Sequence, residues 1–286
     1  MRREMLIMMA TALPAFMCTR PSILVTDGLA PAALSLMRER GARVVEQHYA
    51  SADLAAALAD HDAVIIRSAT TLNAEALGAG ARGKLRVVGR AGVGVDNIDV
   101  AAAQQADLWV LNTPGASSAS VVELTLAHML AAARGLQAAD VGLKSGRWLK
   151  GQLRLNQGSG PRVGHELAGK RLGLLGFGRI AQGVARAASA LGMDVHVYSR
   201  TTSEATAAEL GVTLMPSAAK LFVTCTHVVV LCALTDETRG LVTRSYMELL
   251  PQKSPDGTPC GAHLFNMARG GIVVEADAAR ALQDGK

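Results

Sequence analysis

Residues Arg171 to Arg200 read RLGLLGFGRIAQGVARAASALGMDVHVYSR, and this stretch decides the fold. A short apolar run, Leu172–Leu175, leads into Gly176-Phe177-Gly178-Arg179-Ile180-Ala181. A helical pattern follows, and a second apolar run, Asp194–Tyr198, closes the stretch. The order is strand, glycine turn, helix, strand, which is the setting a G-x-G-x-x-G/A pattern needs. Gly176 permits a tight turn out of the strand, Gly178 lets backbone approach a pyrophosphate, and the small Ala181 lets helix and strand pack closely. The helix N-terminus then offers N–H groups and a positive dipole end to phosphates. An ordinary βαβ turn with chance glycines is the competing reading.

At 286 residues, one or two domains are expected. Half the residues are apolar but only 3% are aromatic, so the core must be built from Ala, Val and Leu. That suits alternating strands and helices better than a β-sandwich. The net charge of +5 comes from 29 basic and 24 acidic residues with no dense Lys/Arg block. No nucleic-acid partner is expected from so small an excess, whereas a mildly basic surface suits anionic metabolites and cofactor phosphates. Cys18, Cys225, Cys232 and Cys260 have neither metal-like nor framework spacing. They fit reduced thiols in a cytoplasmic protein, and no metal is expected.

The start, MRREMLIMMATALPAFMCTR, has early arginines and then an apolar stretch. It is expected to be a disordered leader or the product of an upstream start codon, with a weak signal or transit peptide as the alternative. The stretch is shorter than the roughly 20 residues that span a bilayer, so no membrane span is expected.

The folded part is expected from Pro21. Strands are predicted over Ser22–Thr26, Arg43–Glu46, His61–Arg67, Leu85–Val88 and Leu108–Leu111. Helices are predicted over Pro31–Arg40, Ser51–Ala59, Asn73–Ala81 and Asp99–Gln105. The alternation implies a parallel sheet with ligands at the carboxyl ends of its strands. Two such ends stand out: Arg67-Ser68-Ala69-Thr70, and Gly89-Arg90-Ala91-Gly92-Val93-Gly94 running to Asp99. Arg67 and Arg90 are placed to meet an anion, or are solvated surface side chains. Gly92 and Gly94 allow a sharp turn and a close backbone approach.

Ser120-Val121-Val122-Glu123 has the form of a capping box. It is expected to open a long apolar helix from Val121 to about Leu136 and on to Leu143, the hand-over between two halves. His128 on it is expected to be a packed core residue. Arg147–His165 reads as a loop, and His165 is assigned no role. Further strands are predicted over Val212–Leu214, Thr226–Cys232 and Ala262–Asn266. Further helices are predicted over Ser203–Gly211, Ser217–Phe222, Thr243–Leu250 and Ile272–Gln283. Met267-Ala268-Arg269-Gly270-Gly271 follows the last strand.

Five motifs carry a resemblance: RSATTLNAE (67–75), GRAGVGVDNID (89–99), NTPGASSASVVELT (112–125), LAGKRLGLLGFGRIA (167–181) and FNMARGGIV (265–273). From about Ser22 to Lys286 the chain resembles the D-isomer-specific 2-hydroxyacid dehydrogenases. The GRAGVGVDNID form points to the branch acting on D-3-phosphoglycerate, an early step of serine biosynthesis. The resemblance implies an α/β protein with two doubly wound parallel-sheet domains: a flavodoxin-like catalytic, substrate-binding domain (21–118 here) and an inserted NAD(P)-binding Rossmann domain (119–286). It implies hydride exchange between a 2-oxo or 2-hydroxy acid and NAD(P)H at the cleft between domains.

By the same resemblance, Arg269 is the catalytic arginine that binds the substrate carboxylate and carbonyl, since a planar guanidinium matches a carboxylate and stabilises charge developing on oxygen. Arg67 and Ser68, with the Gly92-Val93-Gly94 turn, are expected at the substrate. Gly176, Gly178, Arg179, Ile180, Ser199, Arg200, Cys232, Met267 and Val93 are expected at the cofactor. A homodimer through the Rossmann domain is also implied.

Two features depart from the family pattern. The second Rossmann strand ends Tyr198-Ser199-Arg200-Thr201, where an NAD enzyme usually has Asp or Glu. An acid repels a 2′-phosphate, and Ser, Arg and Thr accept one, so NADP(H) is expected over NAD(H). Second, the family's catalytic Glu and His, its sixth Rossmann strand and its returning tail lie beyond Lys286. The expectation is therefore a truncated or weakly active form. The alternative is a non-enzymatic, cofactor-sensing binding protein like the corepressors built on this fold.

Overall fold

The computed structural model describes residues 20–148 and 164–284. The expected leader up to residue 19, with Cys18, most of the polar loop (149–163) and the terminal Gly285-Lys286 lie outside the described residues. The chain forms two compact units, one ending at Ser117 and the other beginning at Ser118.

The first unit runs β1 (Ser22–Val25), α1 (Pro31–Glu39), β2 (Arg43–Glu46), α2 (Ser51–Ala59), β3 (Ala63–Ile66), α3 (Ala74–Arg82), β4 (Val87–Arg90), α4 (Val100–Gln105) and β5 (Trp109–Asn112). Its five strands are parallel in the order β2-β1-β3-β4-β5. Strand order reverses between β1 and β3, the crevice where doubly wound sheets bind ligands. Leu24, Leu58, Val64, Ile66, Leu77 and Val88 fill the core. Asn73 and Asp99 cap their helices, each accepting from the amide three residues on at 2.9 Å.

One strand sits two residues later than the apolar run suggests. Leu85 is wholly buried and fills the space over Gly80, where a Cβ would lie 2.7 Å from Leu85 Cδ2. It packs instead of pairing. The ladder therefore begins at Val87, and Arg90 becomes the last residue of β4, paired with Ile66.

The second unit runs α5 (Ser118–Arg134), α6 (Leu136–Lys144), β6 (Arg171–Leu175), α7 (Arg179–Ala190), β7 (Asp194–Tyr198), α8 (Glu204–Glu209), β8 (Thr213–Leu214), α9 (Ala218–Thr224), β9 (His227–Val230), α10 (Arg244–Glu248), β10 (His263–Asn266) and α11 (Glu275–Gln283). The strands are again parallel, in the order β10-β9-β6-β7-β8. Side chains alternate across the sheet. Leu172, Leu174 and Val229 join one core cluster with α7, while Leu175, Val228 and Val230 join another with Leu221 and Phe222 of α9. Burial on both faces explains the unbroken apolar runs. Both sheets are the doubly wound parallel kind that the strand–helix alternation implied.

Three expectations around the long helix are corrected. It starts at Ser118, so Ser120 and Glu123 lie within its first turns and Ser120 is not the cap. It stops at Arg134, because Gly135 adopts a left-handed conformation (φ 60°) and α6 starts afresh at Leu136. His128 is exposed; the buried face carries Thr125, Met129 and Ala133, a four-residue spacing that excludes position 128. That face meets α7 closely: a Cβ on Gly183 would lie 2.7 Å from Val122 Cγ2.

Candidate functional site

In the second unit the strand order switches at β6, between β7 and β9, which is where a doubly wound sheet opens a ligand crevice. The glycine turn stands at that point. Gly176 has φ 97°, and a Cβ there would lie 2.7 Å from the Cys232 amide nitrogen and 2.9 Å from the Leu231 carbonyl carbon. Only glycine fits on both counts. Its own amide donates to the Tyr198 carbonyl at 2.8 Å, tying the turn to the end of β7 beside Ser199 and Arg200. Phe177 is buried and anchors the turn in the core.

Gly178 differs. Its φ of −75° suits any residue, and a Cβ there would meet nothing within 4 Å. It is the N-cap of α7, with no side chain capping the helix and no acid in the first turn. The first turn of this 12-residue helix therefore has no side-chain cap, and the space beside Gly178 is clear. Ala181 is buried in the core cluster and Ile180 packs partly against it. An anion such as a pyrophosphate fits this cradle by shape and by charge.

Around the turn the structure brings together Ser199, Arg200, Cys232 and Met267. The Met267 amide donates to the Val230 carbonyl at 3.1 Å, continuing β10 alongside β9. Burial raises the pKa of the half-buried Cys232 thiol, and the charge of Arg200 pulls it back. The same charge, after hydrogen bonds from Thr235 and its own backbone, helps hold the Glu237 carboxyl low. Arg200 is exposed. Ser199 Oγ lies 3.4 Å from Thr201 Oγ1, so the β7 terminus is hydroxyl-lined with no carboxylate at 199–201.

Arg269 sits in the turn after β10, half-buried. Asn266 staples that turn: its Nδ2 donates to the Arg269 carbonyl at 2.8 Å and its Oδ1 accepts from the Ala268 amide at 3.2 Å. Arg269 Nη1 also donates to the Ala268 carbonyl.

In the first unit, Arg67 and Ser68 are exposed at the carboxyl end of β3. Their loop is organised by Asp27, just past β1. Asp27 Oδ2 accepts from the amides of Arg67 (2.7 Å) and Thr70 (3.0 Å), and Oδ1 accepts from Thr70 Oγ1 (2.5 Å). Burial acts to raise the Asp27 pKa, but these hydrogen bonds together outweigh it and hold the carboxyl below its ordinary range. Asn97 Nδ2 donates to the carbonyls of Arg67 and Thr70 at 2.7 and 2.6 Å, joining that loop to the next.

Gly92, Val93 and Gly94 are half-buried in that next loop, where Asn112 Nδ2 donates to the Val93 carbonyl at 2.6 Å. The close approach that Gly92 allows is to Arg90, whose guanidinium occupies the place of a Cβ. Asp27, Asn97, Asn112 and Asn266 escaped the sequence reading. Their signal was present, since each is a short polar residue at a strand end or in a glycine loop.

A parallel five-stranded sheet with a glycine turn at its switch point, in a chain whose other sheet carries a polar strand-end cluster, defines a dinucleotide-binding α/β protein. Residues 126–286 match the family model described as "D-isomer specific 2-hydroxyacid dehydrogenase, NAD binding domain", and the chain belongs to that family. It is 36% identical over 264 residues to the D-3-phosphoglycerate dehydrogenase of Methanocaldococcus jannaschii, covering 92% of this chain and 47% of that protein. The chain thus spans about half the length of the curated relatives it matches. Among solved structures it is similar to the TT0316 protein of Thermus thermophilus, with a TM-score of 0.76, 30% identity, and coverage of 92% of this chain and 78% of that one. It is also similar to the NAD+-bound 3-phosphoglycerate dehydrogenase of Entamoeba histolytica, with a TM-score of 0.70, 26% identity, and coverage of 93% and 78%. Among the described residues, no helix is long and apolar enough to cross a membrane.

Proposed function

We propose that this chain is the cofactor- and substrate-binding part of an NAD(P)-dependent D-2-hydroxyacid dehydrogenase, with D-3-phosphoglycerate and its 2-oxo counterpart as the substrate pair. The observation that carries this reading is the uncapped α7 N-terminus at the switch point, where Gly178 leaves room for a pyrophosphate. When bound, the nicotinamide would take or give the hydride. The chain's own residues bind and orient the cofactor and the acid. Gly178, Arg179 and Ile180 receive the phosphates. Cys232 and Met267, beside the glycine turn, line the remainder of the cofactor. Arg269, presented by the Asn266-stapled turn, binds the carboxylate and carbonyl of the acid and stabilises charge on its oxygen. In the first unit, Arg67 and Ser68, with the Gly92-Val93-Gly94 backbone, form a polar strand-end loop cluster that suits an anionic group of a 2-hydroxy acid.

The hydroxyl-lined end of β7, with no carboxylate at 199–201, favours NADP(H), because Arg200 and Ser199 suit a 2′-phosphate. Titrating the purified chain with NADPH and NADH by fluorescence tests this. NADPH is expected to bind at least as tightly as NADH, and Arg200→Ala is expected to weaken NADPH selectively. NADH binding tenfold tighter than NADPH overturns the preference, and no binding of either overturns the whole reading. A 2-oxo acid such as 3-phosphohydroxypyruvate is expected to bind the cofactor complex and to lose affinity in Arg269→Ala. A homodimer through α5 and α6 fits the exposed Leu124, Leu130, Leu136, Val141 and Leu143, and light scattering would read its mass.

A further inference from the structure

At the amino-terminal edge of the second sheet, three histidines from separate segments meet. His227 opens β9 and His263 opens β10, and they are directly paired across the ladder. His165 comes from the segment before β6, held there by its amide donating to the Ala133 carbonyl at 2.9 Å. His165 Nε2 and His227 Nε2 are 3.1 Å apart, and one nitrogen from each of the three rings falls within a 4.8 Å set. We propose that His165, His227 and His263 form a binding site for one borderline divalent transition-metal ion, Zn²⁺ in the first instance.

The geometry and the chemistry agree. Imidazole nitrogens bind zinc at about 2.0–2.1 Å, so tetrahedral neighbours stand roughly 3.3–3.4 Å apart; to reach that from a 4.8 Å set, the His263 ring must turn out of its stack on His227 (centroids 4.5 Å apart, planes 24° apart). Two ring orientations are already set from outside the cluster. The Cys260 carbonyl takes a hydrogen bond from His263 Nε2 at 2.9 Å; a carbonyl can only accept, so in the neutral ring the lone pair lies on Nδ1. Thr226 Oγ1 sits 2.9 Å from His227 Nδ1, directing Nε2 toward His165. Such outer partners fix the tautomer and aim of metal-binding histidines.

Burial lowers the pKa of His165 to about 4 and of His227 to about 3, and the nearby charges of His263 and Lys170, and of Arg134 at His165, push the same way. Burial thus disfavours the charged form of both rings, which is the form that cannot bind a metal. Lys170 and Arg134 also repel a cation, which sets the affinity below that of a site with a carboxylate ligand. His165 and His263 are half-buried, so an ion can enter from solvent. The site lies at the end of β9 opposite the glycine turn, about 15 Å away at roughly 3.3 Å per strand residue. It is separate from the cofactor seat, and its role would be to clamp β9, β10 and the lead-in to β6 together.

The full chain, stripped with EDTA and desalted, is titrated with Zn²⁺ by calorimetry and with Co²⁺ by visible spectroscopy. One equivalent of Zn²⁺ is expected, with a rise in melting temperature. The Co²⁺ complex is expected to show four-coordinate d–d bands without thiolate charge transfer. His165→Gln and His263→Gln are each expected to weaken Zn²⁺ by at least about tenfold, while NADPH binding stays as in the unaltered chain. These two variants are preferred to any change at the fully buried His227, which risks the fold. Absence of Zn²⁺ binding by the folded protein overturns the proposal. So does a Co²⁺ spectrum dominated by thiolate bands, or affinity unchanged in both variants.

Discussion

Replacing Gly178 by alanine separates cofactor binding from folding, because the two glycines of the turn are required for different reasons. At Gly178 the backbone is ordinary (φ −75°, ψ −173°) and the new methyl would touch no protein atom within 4 Å. Alanine is a poorer N-cap than glycine by some 0.5–1 kcal/mol. Against that, reducing the freedom of the unfolded chain stabilises by about 0.4–1 kcal/mol. The net change in stability is expected within about 0.5 kcal/mol. Binding should respond very differently. The methyl would stand in the space where the pyrophosphate meets the first N–H groups of α7. A hydrogen bond to a charged group contributes about 1.5–3 kcal/mol, so lengthening one or two of them should cost about 2–3 kcal/mol. At 1.4 kcal/mol per factor of ten, that is roughly a 30- to 150-fold rise in Kd for NADPH. Fluorescence titration with NADPH reads the affinity, and calorimetric melting reads the stability. Affinity within threefold of the unaltered chain, with an unchanged melt, would show that the phosphates do not pass Gly178. The cradle reading would then be wrong.

Three further outcomes follow from the packing and the charges. Gly183→Ala should destabilise by about 1–3 kcal/mol through its clash with Val122, and Val122→Ala should rescue it; additivity in a double-mutant cycle of urea melts would contradict that contact. Asp27→Ala leaves the amides of Arg67 and Thr70 without their acceptor and should cost about 2–3 kcal/mol. Because its folded pKa is depressed, Asp27 contributes stability above the ordinary carboxylate value of about 3.9, and this is lost as pH falls through the folded pKa. A melt of Asp27→Ala matching the unaltered chain at pH 7 would refute the hub role. His165 and His227 titrate in a higher window. Unfolded, they take protons near pH 6.5; folded, they resist to about 4 and about 3. The unfolded state therefore binds more protons, and metal-free stability should fall as pH drops from about 6.5 toward 4. His165→Gln should flatten that slope in melts run in EDTA, and a melt that rises on acidification in the unaltered chain would contradict the sign.

The sequence by itself determined what depends on neighbours along the chain. Strand-turn-helix-strand over 171–200 followed from apolar runs broken by glycines, because side-chain period and turn chemistry are local. Asp194–Tyr198, Arg43–Glu46 and Ser51–Ala59 stand where their patterns put them. The five motifs likewise carried the family, since each motif is a contiguous stretch.

Only the tertiary structure decided what depends on residues distant in sequence. Strand β4 slipped two residues because Leu85 was needed over Gly80. The capping-box pattern at Ser120 was overridden by a helix already begun at Ser118. Gly92 turned out to make room for Arg90 of its own chain. Asp27 became the hub of a loop about 40 residues away, which no local pattern announces. The three histidines, 62 and 36 residues apart along the chain, meet only because β9 and β10 are adjacent parallel strands whose first residues fall in register. Parallel pairing always joins segments separated by a crossover, so a cluster at a strand-end edge is legible only after the strands are placed.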